Sequence, residues 1–75
     1  MYLPKTGEEY YYLTLEETTV KSIEKKKWEF DGFDITLYLM GNVFKGKKKA
    51  KENKDKVIEN VKKIMREVTI WRSLS

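Results

Sequence analysis

Apolar residues in the first 44 positions recur in short extended-type runs, and from position 45 onward they follow a helical repeat. Pro4-Lys5-Thr6-Gly7 is a turn cluster, and Glu8–Leu15 follows it with bulky residues on both faces of an expected strand. Thr18–Glu24 predicts a second strand. Val20 and Ile23 differ in parity there, so the two-residue period must break, as at a bulge. Asp31-Gly32 sits between apolar residues and predicts a two-residue hairpin that pairs Trp28 with Ile35, or a wider loop that keeps Glu29 and Asp34 apart. The clearest alternation comes next, with Phe33, Ile35, Leu37 and Leu39 on one face and Tyr38 and Met40 on the other, and predicts a third strand.

Gly41-Asn42 ends that strand, since both residue types tolerate positive φ. A helix is then expected from about Lys47, with Ala50, Val57, Ile58, Val61, Ile64, Met65 and Val68 at spacings of three, four and seven. Trp71 extends the stripe, whereas Thr69-Ile70-Trp71 is β-branched enough to leave residues 69–74 open between helix and strand. The sequence therefore predicts one α+β domain over residues 1–75: a three- to four-stranded antiparallel sheet in 1–44, packed by one long C-terminal helix in 45–72.

Composition narrows what such a domain does. The 75 residues include neither cysteine nor histidine, which removes disulfides, thiolate metal sites and the commonest general base together. No enzymatic activity and no cofactor are expected. No apolar run reaches the ~18 residues of a membrane span, and the start does not read as a signal peptide, so a cytoplasmic protein without membrane contact is expected. The net charge of +4 is unevenly spread. Residues 1–44 carry five lysines against eight acids, a net of −3, while residues 45–75 carry eleven Lys or Arg against four acids, a net of +7. Such a split marks either an anion-binding face or a helix solvated by lysine.

Four groups of residues invite a functional reading. Gly41-Asn42-Val43-Phe44-Lys45-Gly46-Lys47-Lys48 matches the phosphate-binding loop G-x-x-x-x-G-K-[S/T] except at its last position, where a lysine cannot take the magnesium ligand's place. What survives is an anion or nucleic-acid contact through Lys45, Gly46, Lys47, Lys48, Lys49 and Lys51, opposed by the view that Glu52, Asp55 and Glu59 pair with these lysines at helical spacing. Tyr10, Tyr11, Tyr12 and Tyr38 read as a protein-binding patch or a base-stacking platform, because a sheet clad by one helix leaves its second face open. The bland alternative packs half of them under the helix. Glu8-Glu9, Glu16-Glu17 and the trio Glu29, Asp31 and Asp34 read as solvated acids, the trio lying around a turn.

Pro4-Lys5-Thr6-Gly7, Tyr10-Tyr11-Tyr12, Trp28, Asp34 and Gly41-Asn42-Val43-Phe44-Lys45 followed by Ala50 together resemble a widespread family of small phage and prophage proteins over roughly residues 4–50. Where the family has a capping threonine and two glutamates, this chain has Gly46, Lys48 and Lys49. It thereby gives up local helix stability and gains positive charge. The resemblance implies a phage or mobile-element origin and a bacterial host cell, but no transferable activity. The resulting expectation is a phage-encoded binding protein that inhibits a host protein or ribonucleoprotein complex, such as a CRISPR antiphage defence, by occupying its surface. A nucleic-acid-binding accessory protein is the alternative, and a homodimer is a further partner arrangement the pattern admits.

Overall fold

The computed structural model describes residues 2–74. Its centre is an antiparallel hairpin of β1 (Glu9–Glu16) and β2 (Thr19–Lys27), paired from Glu9↔Lys27 to Glu16↔Thr19. The register slips between Thr14 and Leu15, because Ser22 faces Thr14 and Val20 faces Leu15, leaving Lys21 as the extra residue. This is the irregularity that the parity of Val20 and Ile23 required. It lets both side chains reach the same apolar cluster. The connecting turn carries Glu17 at φ 57°.

The third element is where the sequence reading fails. Residues Gly32–Leu39 form a helix, α1, so the third strand does not exist and the sheet has two strands among the described residues. Asp31-Gly32 is not a hairpin turn. Asp31 is the N-cap, its carboxylate accepting from the Asp34 backbone N–H at 2.9 Å while Asp34 accepts from the Asp31 N–H at 3.3 Å, a reciprocal capping box. The far end is closed as firmly. Gly41 lies at φ 69°, its N–H donates to Tyr38 and the Asn42 N–H donates to Leu37, the paired bonds of a Schellman stop. The buried face of α1 is Asp34 and Leu37, with Tyr38 and Met40 half-buried beside them, while Phe33, Ile35 and Leu39 remain exposed. Alternation misled because the residue heading the inward face is a carboxylate.

The expected single helix over 45–72 is also divided. Asn53 separates α2 (Lys47–Glu52) from α3 (Lys54–Leu74), and residues 69–74 are helical. Asn53 closes α2 by donating back into the preceding turn: its side-chain amide donates to the Lys49 carbonyl at 2.8 Å, and its backbone N–H donates to Lys49 and Ala50.

Helices cover both faces of the hairpin. On one side α1 closes over Tyr10, Trp28, Leu37 and Val43. On the other, Leu13, Phe44, Ala50 and Val57 form a second cluster, against which Tyr11, Leu15, Val20 and Ile23 pack. The free edge of β1 is occupied too. Tyr11 and Phe44 exchange backbone hydrogen bonds of 2.8 and 2.9 Å, and one step along, the Asn42 side chain does what a neighbouring strand would do. Its Oδ1 accepts from the Leu13 N–H and its Nδ2 donates to the Leu13 carbonyl, both at 2.8 Å. Asn42 is fully buried, so these bonds satisfy backbone groups that no water reaches.

Candidate functional site

The four tyrosines singled out from the sequence do not make one platform. Tyr10 is fully enclosed, packed edge-on against Trp28 at 5.5 Å, with its hydroxyl donating to Asp34 Oδ1 at 2.5 Å. It is therefore no surface residue, and the reason is α1, which covers the face that a strand at 33–40 would have left open. Tyr11 lies on the opposite side of the sheet in the Leu13–Phe44 cluster. Tyr12 and Tyr38 are half-buried around Trp28 and Phe33. The Trp28 indole N–H has no oxygen or nitrogen partner and lies among the rings of Phe30, Tyr10 and Tyr38.

Asp34, read from the sequence as solvated, is fully buried and is the hub of the most perturbed group in the molecule. Oδ1 accepts from Tyr10 and from Lys26 Nζ at 2.9 Å, and Oδ2 accepts from the Glu29 N–H at 2.8 Å and the Asp31 N–H. Burial opposes the charge, but the Tyr10 hydroxyl, the Lys26 ammonium and the two backbone donors outweigh it and hold the carboxyl well below the usual carboxylate range. Desolvation, then the adjoining carboxylate, pushes the Tyr10 phenol up. The hydrogen bond to Asp34, ahead of that to Asp31, raises Lys26 despite some desolvation. Both oxygens of Asp34 and the Lys26 ammonium have their partners within the fold, which is how a structural clamp between β1, β2 and α1 is built. The Asp31-x-x-Asp34 spacing ahead of an apolar run was the legible signal for it.

The near-match to a phosphate-binding loop is a structural connection. A helix precedes it, Asn42, Val43 and Phe44 are buried in it, and Gly46 caps α2 at φ −153°, extended backbone that any residue adopts. The lysines around it are another matter. Lys45, Lys47, Lys48, Lys49 and Lys51 are all exposed, beside a half-buried Gly46. None of the nine lysines between positions 45 and 63 makes an ion pair among the described residues; in that half of the chain Arg66 pairs with Glu59 at 3.7 Å. The pairing with Glu52, Asp55 and Glu59 that would have silenced them is absent among the described residues.

Folding also sorts these lysines. Lys45 from the loop, Lys49 from α2 and Lys56 from α3 converge on one groove of about 450 Å³, floored by Val43 and Phe44 and edged by Tyr2, Asn53 and Asn60. Lys56 was not among the expected site residues, although it falls seven positions after Lys49, a spacing that sets two residues on one helix face. Lys47, Lys48 and Lys51 do not line the groove. A second surface feature is apolar. Every residue from Lys62 to Ser73 is exposed, including Ile64, Met65, Val68, Ile70 and Trp71. Among the described residues, no cluster of three or more Asp or Glu is placed to hold a metal ion, and no helix is long and apolar enough to cross a membrane. No protein-family model, curated protein or solved structure matches the chain.

Proposed function

We propose that this chain is a small binding protein that works without catalysis, laying its lysine face on an anionic partner surface. The observation that carries the reading is the set of unpaired lysines, three of which converge on the groove of Lys45, Lys49 and Lys56. Nine ammonium groups without an ion pair among the described residues stay available to a polyanion, and a concave site with an apolar floor gives that attraction a shape. The partner that fits both the charge and the phage-protein resemblance is a host ribonucleoprotein, for which a CRISPR effector stands as the concrete case. Inhibition follows from occupying the nucleic-acid-lined groove of such a complex with a standard interface of about 800 Å² per side.

The test is plating efficiency of phage on cells with an active CRISPR effector, with the chain expressed in one culture and absent from the other. Restored plaque formation, lost again in the triple variant Lys45→Glu, Lys49→Glu, Lys56→Glu, is the expected result. Unchanged plaque counts together with no co-purification of the purified effector would sink this reading.

A second reading rests on the same lysines. As an accessory protein for free nucleic acid, the chain would retard single-stranded or duplex oligonucleotides at low salt. Three phosphate contacts at the groove would give a slope of log K against log salt of about −2 to −3. No retardation of either at ~20 mM salt refutes that alternative and leaves the protein-complex reading standing.

A further inference from the structure

The groove of Lys45, Lys49 and Lys56 offers more than charge. Lys49, Asn53, Lys56 and Asn60 recur at spacings of four, three and four, which sets them on one helical face. The Val57 N–H donates to the Asn53 carbonyl at 3.0 Å, so helical bonding runs through the junction of α2 and α3 and keeps that face continuous. Exposed Lys63 falls three positions further along it. The result is a ladder in which ammonium and carboxamide alternate, with successive lysines about 10 Å apart.

The carboxamides are half committed. Asn53 Nδ2 donates to the Lys49 carbonyl at 2.8 Å, and Asn60 Nδ2 donates to the Met40 carbonyl at 3.0 Å. Each nitrogen faces a carbonyl oxygen, so neither amide can flip, and what both have left for a ligand is the acceptor Oδ1. Elsewhere on the rim Tyr2 is half-buried against the Tyr10–Trp28–Val43 cluster, and buried Val43 and Phe44 make the apolar floor. One acid acts at this end. Glu8 feels Lys45, but it already accepts from the Lys5 N–H at 3.0 Å and from the Tyr2 hydroxyl. Those two bonds, ahead of Lys45, hold its carboxyl below the usual carboxylate range. Glu8 thereby anchors the tip of the Tyr2 ring.

We infer that the groove takes one unpaired nucleotide of a single-stranded nucleic acid, its base on the apolar floor beside Tyr2 and its flanking phosphates on the lysine ladder. This rests on reading the lysine groove as a polyanion site, and it names what enters. One ligand has to supply anions at regular intervals for the ammoniums, a donor for Oδ1 of Asn53 or Asn60, and a flat apolar face. A nucleotide supplies all three, through its phosphates, its base amino or sugar hydroxyl group, and its base. Inorganic polyphosphate supplies only the first. An acidic peptide carries carboxylates only where its own sequence puts them. Planar carboxylates are matched by the fork of arginine, whereas every cation of this groove is a lysine, a point charge suited to phosphate. A base paired within a duplex is stacked on both faces and cannot enter. The volume of about 450 Å³ falls among the roughly 300–1,000 Å³ of small-ligand pockets, room for one base and its sugar.

The experiment is fluorescence anisotropy of labelled probes titrated with the full chain at ~20 mM salt. The probes are a short single-stranded DNA, RNA of the same sequence, the DNA duplex, a DNA strand of equal length without bases, and polyglutamate of equal charge. The single-stranded DNA should bind about 5- to 150-fold tighter than its base-free counterpart, the contribution of one stacked base, and tighter than the duplex. The tighter of the DNA and RNA strands tells deoxyribose from ribose as the source. Tyr2→Leu, which keeps an apolar side chain on the core, should abolish the advantage and leave the affinity for the base-free strand unchanged. The base-free comparison alters no residue, so it decides even where Tyr2→Leu fails to fold. Equal binding of all the probes overturns the inference yet leaves the lysine face a plain polyanion surface, so the two readings fail separately. Preference for the duplex or for polyglutamate, or no binding of any probe, overturns it as well.

Discussion

Replacing Asn42 by alanine strips the free edge of β1 of its substitute strand. The Leu13 N–H and C=O, each bonded to the Asn42 amide at 2.8 Å, are left without partners in a place where both residues are buried. An orphaned buried backbone group costs about 1–3 kcal/mol, so two cost about 2–6 kcal/mol. A chain of 75 residues has a total stability of only about 4–11 kcal/mol at the usual 0.05–0.15 kcal/mol per residue. The single substitution therefore removes around half of what holds the domain together. Urea unfolding followed by far-ultraviolet circular dichroism measures this directly. With a slope near 1 kcal/mol per molar for so small a domain, the midpoint should fall by about 2 M or more. Asn60→Ala is the control, because it deletes one half-buried bond of 3.0 Å to the Met40 carbonyl and should cost about 0.5–1.5 kcal/mol. If Asn42→Ala lowers the midpoint no further than Asn60→Ala, the amide is not acting as a strand and the account of this edge is wrong.

Acid should unfold the protein through Asp34. Its folded-state pKa lies below the ordinary carboxylate value, so its contribution is complete above about pH 4 and is lost as the pH falls below that toward the folded value. Melting temperature measured from pH 6 to 2 should drop in that window, and Tyr10→Phe, which removes one bond to the carboxylate and brings its folded-state pKa nearer the unfolded value, should make the drop smaller. A drop of unchanged size in Tyr10→Phe would refute the role given to the hydroxyl. At the alkaline end the signs reverse. The raised Tyr10 and Lys26 contribute fully below about pH 10, and that contribution is lost above it. Gly46→Ser should raise stability by about 0.5–1 kcal/mol, since the added Cβ meets nothing within 4 Å, the backbone is already extended, and serine supplies the cap that α2 lacks. A midpoint equal to or below that of the unmodified chain would contradict it.

Local patterns in the sequence suffice for several features, each for a reason that stays local. The hairpin strands follow from β-branched and aromatic density, the slip at Lys21 from the parity of Val20 and Ile23, and the stripe of α3 from spacings of three, four and seven. The α+β character and the long terminal helix were legible in this way. The identity of α1 was not. Eight residues with alternating Phe33, Ile35, Leu37 and Leu39 satisfy a two-residue period, and the helix wins because Asp34 exchanges water for Tyr10, Lys26 and two N–H groups supplied by β1, β2 and the loop before it. The Asp31-x-x-Asp34 spacing marks a helix start locally, but that exchange exists only once distant segments meet, so the spacing alone did not outweigh the alternation. The same holds for the site. The lysines could be counted from the chain, but their lack of ion pairs among the described residues, and the arrival of Lys45 beside the seven-spaced Lys49 and Lys56, are properties of how α2 and α3 are set against the hairpin. Burial of Tyr10 was decided likewise by what α1 covers. The sequence by itself determined which residues carry charge and which repeat at helical spacing; tertiary structure decided which of them face water, because burial depends on segments far apart in the chain arriving at the same place.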